Sequence, residues 1–245
     1  MDINRKGGRA ADEMREIKIT RNFIKYALGS CLIEIGDTKV VCAVNVEEKV
    51  PHFLRDTGSG WITAEYAMLP ASTSQRTGRN SNLTGRSQEI QRLIGRCLRG
   101  IVDMHKLGER TIWVDCDVLQ ADGGTRTASV TGAFIALVDG LNNMQKRTIR
   151  LPIIKDYLGA ISVGIVRGSL LADLDYSEDS MASTDINVVM NGSGEFIEIQ
   201  GAAEGCSFSK KELDELVELA SVNINKIIEK EREVLGNDTQ FLLGN

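Results

Sequence analysis

The sequence predicts an α+β fold in which mixed β-sheets pack against helices in two pseudo-repeated halves. In each half, runs with the two-residue period of a strand precede a run with the 3.6-residue period of a helix. The 245 residues contain three prolines and no low-complexity linker, which favours one compact unit over tethered domains. We therefore expect one domain over residues 1–245, with a short tail at about 237–245.

The first half is predicted to contain five strands and two helices. Gly36-Asp37-Thr38 separates two strand-like runs and marks a hairpin. From Ile90 to Val102 the apolar residues follow the i, i+3, i+4, i+7 rule of an amphipathic helix. The predicted strands are 16–20, 31–35, 39–46, 61–69 and 111–119, and the helices begin at Arg86 and at Thr127, the second ending near Asn143.

The second half is predicted to be a sheet with short turns, closed by a helix. Arg167-Gly168 and Asn191-Gly192 supply two of the turns. Ser209 followed by Glu212 is a capping box, which marks the start of a helix that ends near Gly236. The predicted strands are 160–166, 170–176, 185–190 and 196–200.

The composition is that of an ordinary globular protein, with 42% hydrophobic and 26% charged residues. No apolar run has the ~20 residues that span a bilayer, and the first residues lack a signal-peptide pattern, so we expect a cytoplasmic protein without membrane contact. The cysteines are scattered in apolar patterns, which predicts reduced core residues rather than disulfides or zinc ligands. They are Cys31, Cys42, Cys97, Cys116 and Cys206.

The joint between a strand and a helix at Gly123-Gly124-Thr125-Arg126 is typical of an anion-binding site. Glycines let backbone N–H groups approach an anion, a helix start carries partial positive charge, and an arginine adds a forked cation. Arg86 lies at the start of another predicted helix, so two helix starts can face one anion. From these residues alone, an ordinary tight turn fits equally well.

Residues 71–100 form a basic stretch within a chain of net charge −5. The stretch has six arginines and one acidic residue, a net charge of +5, and no lysine. Arginine is the better bidentate phosphate ligand, so the stretch indicates an RNA-binding surface, although a solvated helix face is the simpler interpretation. The arginines are Arg76, Arg79, Arg86, Arg92, Arg96 and Arg99.

Asp179 and Asp185 lie at the two ends of a short predicted connection, which can bring their carboxylates together. Oxygen ligands completed by substrate phosphate suit Mg²⁺, but a solvated acidic turn is the more common meaning of such a loop. Asp173 and Asp175 alternate with Leu174 and are predicted to face solvent from a strand.

Several catalytic classes are excluded by missing motifs. The sequence has no P-loop and no His-Glu-x-x-His, and Gly58-Ser59-Gly60 lacks the third glycine of a dinucleotide fingerprint. The two histidines, His52 and His105, have no recognisable triad partners. Phosphate itself is therefore the candidate nucleophile.

These motifs belong to longer blocks in which the chain resembles the ribonuclease PH family. The blocks are 36–40, 60–66, 89–96, 107–111, 115–118, 120–129, 178–179, 184–190 and 200–201, together with Arg5 and Gly8-Arg9. The resemblance implies a ring-shaped homohexamer, a trimer of dimers, that removes nucleotides from 3′ ends of tRNA precursors and other RNA. Inorganic phosphate is the co-substrate, nucleoside 5′-diphosphates are released, the transfer is reversible, and DNA is not an expected partner.

The resemblance also implies roles for individual residues. Arg86, Gly124, Thr125 and Arg126 match phosphate-binding positions, and the arginines at 86 and 126 are also expected to be catalytic. Asp179 and Asp185 match catalytic carboxylates associated with Mg²⁺, for which Mn²⁺ is a possible substitute. RNA contacts are expected at Arg76, Arg79, Arg92, Arg96 and Arg99. The chain departs from the family pattern at Lys6-Gly7-Gly8 and at Ala71, which puts an N-terminal contact and an RNA or subunit contact in doubt.

Three alternatives remain at this stage. The chain can be a catalytically silent RNA-binding ring subunit, or a catalytic exosome-type subunit that needs a different partner. It can also be a protein that binds a nucleotide or small phosphometabolite.

Overall fold

The computed structural model describes residues 5–79, 84–144, 149–240 and 242–243, and its first half is built on a five-stranded sheet. Of the predicted tail, residues 241, 244 and 245 lie outside the described part. The elements of this half are β1 (Ile17–Arg21), β2 (Gly29–Ile35), β3 (Thr38–Glu47), β4 (Trp61–Met68), α1 (Gly85–Ile101), α2 (Met104–Leu107), β5 (Thr111–Gln120) and α3 (Thr125–Asn143).

The strand order in the first sheet is β1-β2-β3-β5-β4. Neighbouring strands are antiparallel except for β4 and β5, which are parallel. A parallel pair needs a crossover, and α1 supplies it by returning the chain from β4 to β5. The register pairs Cys31 with Cys42 and Cys42 with Cys116, so three of the buried thiols lie side by side.

The second half is a four-stranded antiparallel sheet in the order β7-β6-β8-β9. Its elements are β6 (Leu158–Val166), β7 (Ser169–Ala172), α4 (Tyr176–Asp179), β8 (Ala182–Asn191), β9 (Phe196–Ala203) and α5 (Lys210–Leu235). The helix α5 packs on β6, β7 and β8.

The helix α3 lies between the two sheets and forms the centre of the core. It packs against β2 and β3 on one side and against β6 on the other, and all residues from 127 to 141 are buried. A helix that is buried all round is mostly apolar, and the polar side chains of this stretch are three hydroxyls and the Asp139 carboxylate. Its first turn therefore lies where the two halves meet.

The predicted strand over 170–176 is wrong in its second part. The strand β7 ends at Ala172, and Asp173 takes a left-handed φ of +53° that turns the chain into α4. Asp173 and Asp175 are buried instead of facing solvent, with 4% and 2% of their surface exposed. Asp173 pairs with Arg15, and Asp175 caps α4, so polar partners replace water for both carboxylates.

Smaller differences concern α3 and one cysteine. The helix α3 begins at Thr125, two residues before the predicted start, and Cys206 is exposed rather than in the core. The capping box of Ser209 and Glu212 is confirmed, and α5 ends at Leu235 as expected. Within the described ranges, no helix combines the length and apolar character needed to cross a bilayer.

Glu231 on α5 is a carboxylic acid enclosed in the core. Its exposed fraction is 0%, and neither carboxyl oxygen has a hydrogen-bond partner among the described residues. Burial raises the pKa of Glu231 well above its usual value; the Arg232 charge opposes this shift, and the Asp156 charge adds to it. The folded protein therefore favours the protonated acid.

We expect Glu231→Gln to stabilise the protein increasingly as pH rises. In the folded wild type Glu231 keeps a proton that it releases near pH 4.3 in the unfolded chain. The free energy of unfolding of the wild type therefore falls above that pH, by up to about 1.4 kcal/mol per pH unit. Urea unfolding of both proteins between pH 5 and 8 measures the difference. Exposed Glu229→Gln on the same helix is the control, and a pH-independent gain for Glu231→Gln would contradict the prediction.

Candidate active site

The first turn of α3 meets the segment that leads into α4. Gly123 and Gly124 have φ values of +76° and +66°, which glycine adopts without strain. A Cβ atom on Gly123 would lie 2.4 Å from the Leu174 carbonyl oxygen and close to the backbone of Asp175 and Tyr176. The turn therefore needs glycine both for its conformation and for its contact with the second half.

Two side chains hold this turn in place. The Thr38 hydroxyl donates to the Gly123 carbonyl at 2.6 Å and accepts from the Asp122 backbone N–H at 2.9 Å. The Arg15 guanidinium donates to the Asp122 carbonyl and, through two nitrogens, to the Asp173 carboxylate. Sequence patterns give Arg15 no role, because its partners lie far along the chain.

Thr125 is oriented by a buried tyrosine. The Tyr66 hydroxyl donates to Thr125 Oγ1 at 2.9 Å, and only 1% of Tyr66 is exposed. Burial raises the pKa of Tyr66, so its hydroxyl stays protonated at neutral pH. Since Thr125 Oγ1 accepts this bond, its own proton is available to an anion at the helix start.

Arg86 and Arg126 supply the positive charge of the site. Arg126 Nη1 donates to Gln200 Oε1 at 3.3 Å and lies 3.8 Å from Glu89 Oε1, so β9 and α1 both orient it. Arg86 is exposed at the first turn of α1. Both guanidinium charges act to lower the pKa values of Asp179 and Asp185, which places these side chains within electrostatic range of each other.

The predicted carboxylate pair is brought together by α4 and β8. Asp179 is the last residue of α4, and Asp185 lies on β8. Burial raises the pKa values of both groups, and the Asp179 charge adds to the shift of Asp185, whose pKa reaches about 6. A partly buried carboxylate whose charge is disfavoured by a second carboxylate is suited to a cation.

The donor set agrees with a hard divalent cation that is completed by substrate. Asp185 Oδ1 is buried and has no hydrogen-bond partner among the described residues, which a bound cation would supply. The described part of the chain contains no group of three or more His, Cys, Asp or Glu residues placed to hold a metal. Two carboxylates leave the remaining positions of such a cation to oxygen ligands from outside the protein, as is common for Mg²⁺.

Comparison with known proteins places this chain in a family. The model of the 3′ exoribonuclease family matches in two parts, domain 1 at residues 13–140 and domain 2 at residues 156–223. The ribonuclease PH of Moorella thermoacetica is 54% identical over 95% of this chain and 95% of its own length. The chain belongs to the ribonuclease PH family. The ribonuclease PH proteins of Syntrophomonas wolfei and Bacillus mycoides are 54% and 51% identical, over 96% and 95% of this chain and 100% and 97% of their own lengths.

Solved structures share the ribonuclease PH fold. An Archaeoglobus fulgidus exosome with RNA bound to the active site has a TM-score of 0.78 at 25% identity, over 91% of both chains. An archaeal exosome core has a TM-score of 0.76 at 26% identity, over 93% of this chain and 91% of that one. Rice Rrp46, at 20% identity, has a TM-score of 0.75 over 94% and 100% of the two chains, which shows the fold alone.

The arginines expected to bind RNA in this ribonuclease PH relative have different environments. Arg96 pairs with Glu198, and Arg99 donates to the Ile62 carbonyl at 2.7 Å while stacking on Trp61. Arg92 is exposed beside the same tryptophan in a polar groove. Arg76 and Arg79 are exposed in the loop that precedes α1; residues 80–83 of that loop lie outside the described part.

The N-terminal segment that departs from the ribonuclease PH pattern forms ion pairs through Lys6. Lys6 Nζ lies 2.8 Å from Asp37 Oδ2 and 3.5 Å from Asp122 Oδ2, so this segment contacts the hairpin and the end of β5. Ala71 is exposed. Neither departure falls on a residue of the turn at Gly123 or of the carboxylate pair.

Proposed function

We propose that this chain is a phosphorolytic 3′-to-5′ exoribonuclease that trims tRNA precursors and other RNA and releases nucleoside 5′-diphosphates. One observation carries the proposal. The glycine turn at the start of α3, which is suited to an anion, lies near a carboxylate pair whose pKa values are influenced by the Arg86 and Arg126 charges. The family membership agrees with this chemistry.

Inorganic phosphate would bind at the start of α3. The Gly124 backbone, the Thr125 hydroxyl and the Arg86 and Arg126 guanidinium groups would hold it in line with the last phosphodiester. An oxygen of the phosphate forms a bond to the terminal phosphorus, and the bond to the 3′-oxygen of the preceding nucleotide breaks. The products are a nucleoside diphosphate and an RNA with a new 3′-hydroxyl, whose proton comes from the hydrogen phosphate, and the phosphate is already anionic without a protein base.

Asp179 and Asp185 would hold Mg²⁺, with Mn²⁺ as a possible substitute. When bound, the cation would offset negative charge on the reacting phosphoryl oxygens. The same arginines that bind phosphate lie within electrostatic range of both carboxylates and keep their negative charges accessible at neutral pH. The four side chains therefore form one charge-compensated site.

We further propose that the whole chain, residues 1–245, forms one catalytic domain that assembles as a cytoplasmic homohexamer, a trimer of dimers. Arg76, Arg79, Arg92, Arg96 and Arg99 would contact RNA, with exposed Arg92 as the strongest candidate and Arg99 partly committed to Trp61. Light scattering of the purified chain measures the assembly. An inactive chain that gains activity only with a different subunit would favour the exosome-type alternative.

Isotope transfer gives the sharpest test of the activity. The full chain is incubated with a tRNA precursor, Mg²⁺ and ³²P-phosphate, and the released nucleotides are separated. We expect labelled nucleoside diphosphates, with the label at the β position, and no release when sulfate replaces phosphate. Release of unlabelled monophosphates, or equal degradation without phosphate, would contradict the proposal. Binding of RNA without any release would favour a silent ring subunit.

A further inference from the structure

The Arg15 side chain connects the two halves of the molecule behind the active site. Its Nε and Nη2 atoms donate to the two oxygens of Asp173, at 2.8 and 2.6 Å, and its backbone N–H donates to the same carboxylate at 2.7 Å. The guanidinium also donates to the carbonyl of Asp122, next to the glycine turn. One buried side chain therefore bonds to the anion-binding turn and to the segment that leads into α4.

The second half continues this connection to the carboxylate pair. Asp173 has a left-handed φ of +53°, and two residues later Asp175 begins α4 with a capping box to Glu178. The Arg5 guanidinium donates hydrogen bonds to both carboxylate oxygens of Glu178, at 2.7 and 2.9 Å. The next residue is Asp179, so the position of that carboxylate follows from the placement of α4.

We propose that Arg15 and Asp173 are a positioning pair that fixes the separation between the phosphate-binding turn and Asp179. Neither residue would touch the substrate. A buried, bidentate guanidinium–carboxylate pair has a narrow geometry, and a displacement of ~1 Å in a reacting group can lower rates by about 100-fold. The inference rests on the proposed function, because it assigns the pair to the placement of phosphate against a carboxylate.

A second guanidinium–carboxylate pair, with a partly buried arginine and a buried aspartate, supplies a control. Arg21 Nε donates to both oxygens of Asp139, at 3.0 and 3.2 Å, and 3% of Asp139 is exposed. Asp139 lies 14 residues after Thr125 on α3, a distance of about 21 Å along the helix axis. Loss of this pair should affect stability without moving the active site.

The test compares Arg15→Lys with Arg21→Lys in the full chain. Lysine keeps the charge but cannot form the fork. We expect both variants to have a lower melting temperature than the wild type. Only Arg15→Lys should raise the KM for phosphate, by about tenfold or more. The same variant should have a lower kcat and a nearly unchanged KM for RNA. Equal kinetic effects in the two variants, or wild-type phosphate kinetics in Arg15→Lys, would overturn the proposal.

A second variant covers the case in which Arg15→Lys does not fold. Asp173→Asn keeps the shape of the side chain, and asparagine tolerates the left-handed backbone at this position, but an N–H donor replaces one carboxylate oxygen of the fork. We expect a rise in phosphate KM of about threefold or more. An unchanged phosphate KM in this variant would then overturn the positioning pair.

A binding measurement separates this inference from the proposed function. Inorganic phosphate should raise the melting temperature of the wild type, and less so that of the folded positioning variant. A wild type that is stabilised by phosphate but does not release diphosphates contradicts the proposed function alone. Equal stabilisation of wild type and Arg15→Lys or Asp173→Asn contradicts the positioning pair alone.

Discussion

Asp185→Asn is expected to lower kcat for phosphorolysis by about 10²–10³-fold, the range found when one charge-stabilising group is lost. The amide keeps the shape of the side chain but removes the negative charge at Oδ1, which is buried without a hydrogen-bond partner in the described structure. Because burial already disfavours the charge, the melting temperature at pH 7.5 should be at least that of the wild type. Diphosphate release and thermal unfolding measure the two effects.

The control for Asp185→Asn is Asp115→Asn on β5. Asp115 is partly buried like Asp185, and burial together with the Glu65 and Asp117 charges raises its pKa, so the substitution removes a comparable charge outside the proposed site. We expect its kcat to stay within about twofold of wild type. Full activity in Asp185→Asn would exclude the assigned role, and an equal loss in both variants would point to a general structural cause.

Gly123→Ala is expected to cause the second large loss. A left-handed backbone at alanine costs about 1–2 kcal/mol, and the new Cβ would meet the Leu174 carbonyl oxygen at 2.4 Å. The turn must then move away from the second half, so we expect kcat/KM for phosphate to fall by more than about 100-fold. Steady-state kinetics with phosphate as the varied substrate measure the change.

Gly168→Ala separates backbone strain from the clash. Gly168 has a φ of +79°, close to the +76° of Gly123, but its Cβ would find no atom within 4 Å. Both variants should share the strain, while Gly168→Ala should keep wild-type kinetics. Similar kinetic losses in the two would argue that the contact with Leu174 has no role in catalysis.

The parts of the site that the sequence predicted are those with local signals. The glycine pair at the end of β5 and the helix that follows it both leave a periodic pattern, so the turn could be located before its partners were known. Asp179 and Asp185 were predicted because a short connection keeps its ends close. The structure brings both into the range of Arg86 and Arg126.

The missed features depend on contacts between distant residues. Asp173 follows an alternating run and fits a strand, but its pair with Arg15, 158 residues earlier, turns it inward with a left-handed backbone. Tyr66 and Thr125 lie on different elements, and only the folded sheet brings their hydroxyls together. Local periodicity carries no information on such pairs, because tertiary contacts override the local preference.

The burial of α3 on all sides restricts how this chain can be divided. A fragment ending after α3 would lack β6 and would leave one side of a mostly apolar helix in water. A fragment beginning at β6 would lose the helix against which its sheet packs. Although the family models describe two domains, we expect each half to need the hydrophobic surface of the other, so that neither fragment folds by itself.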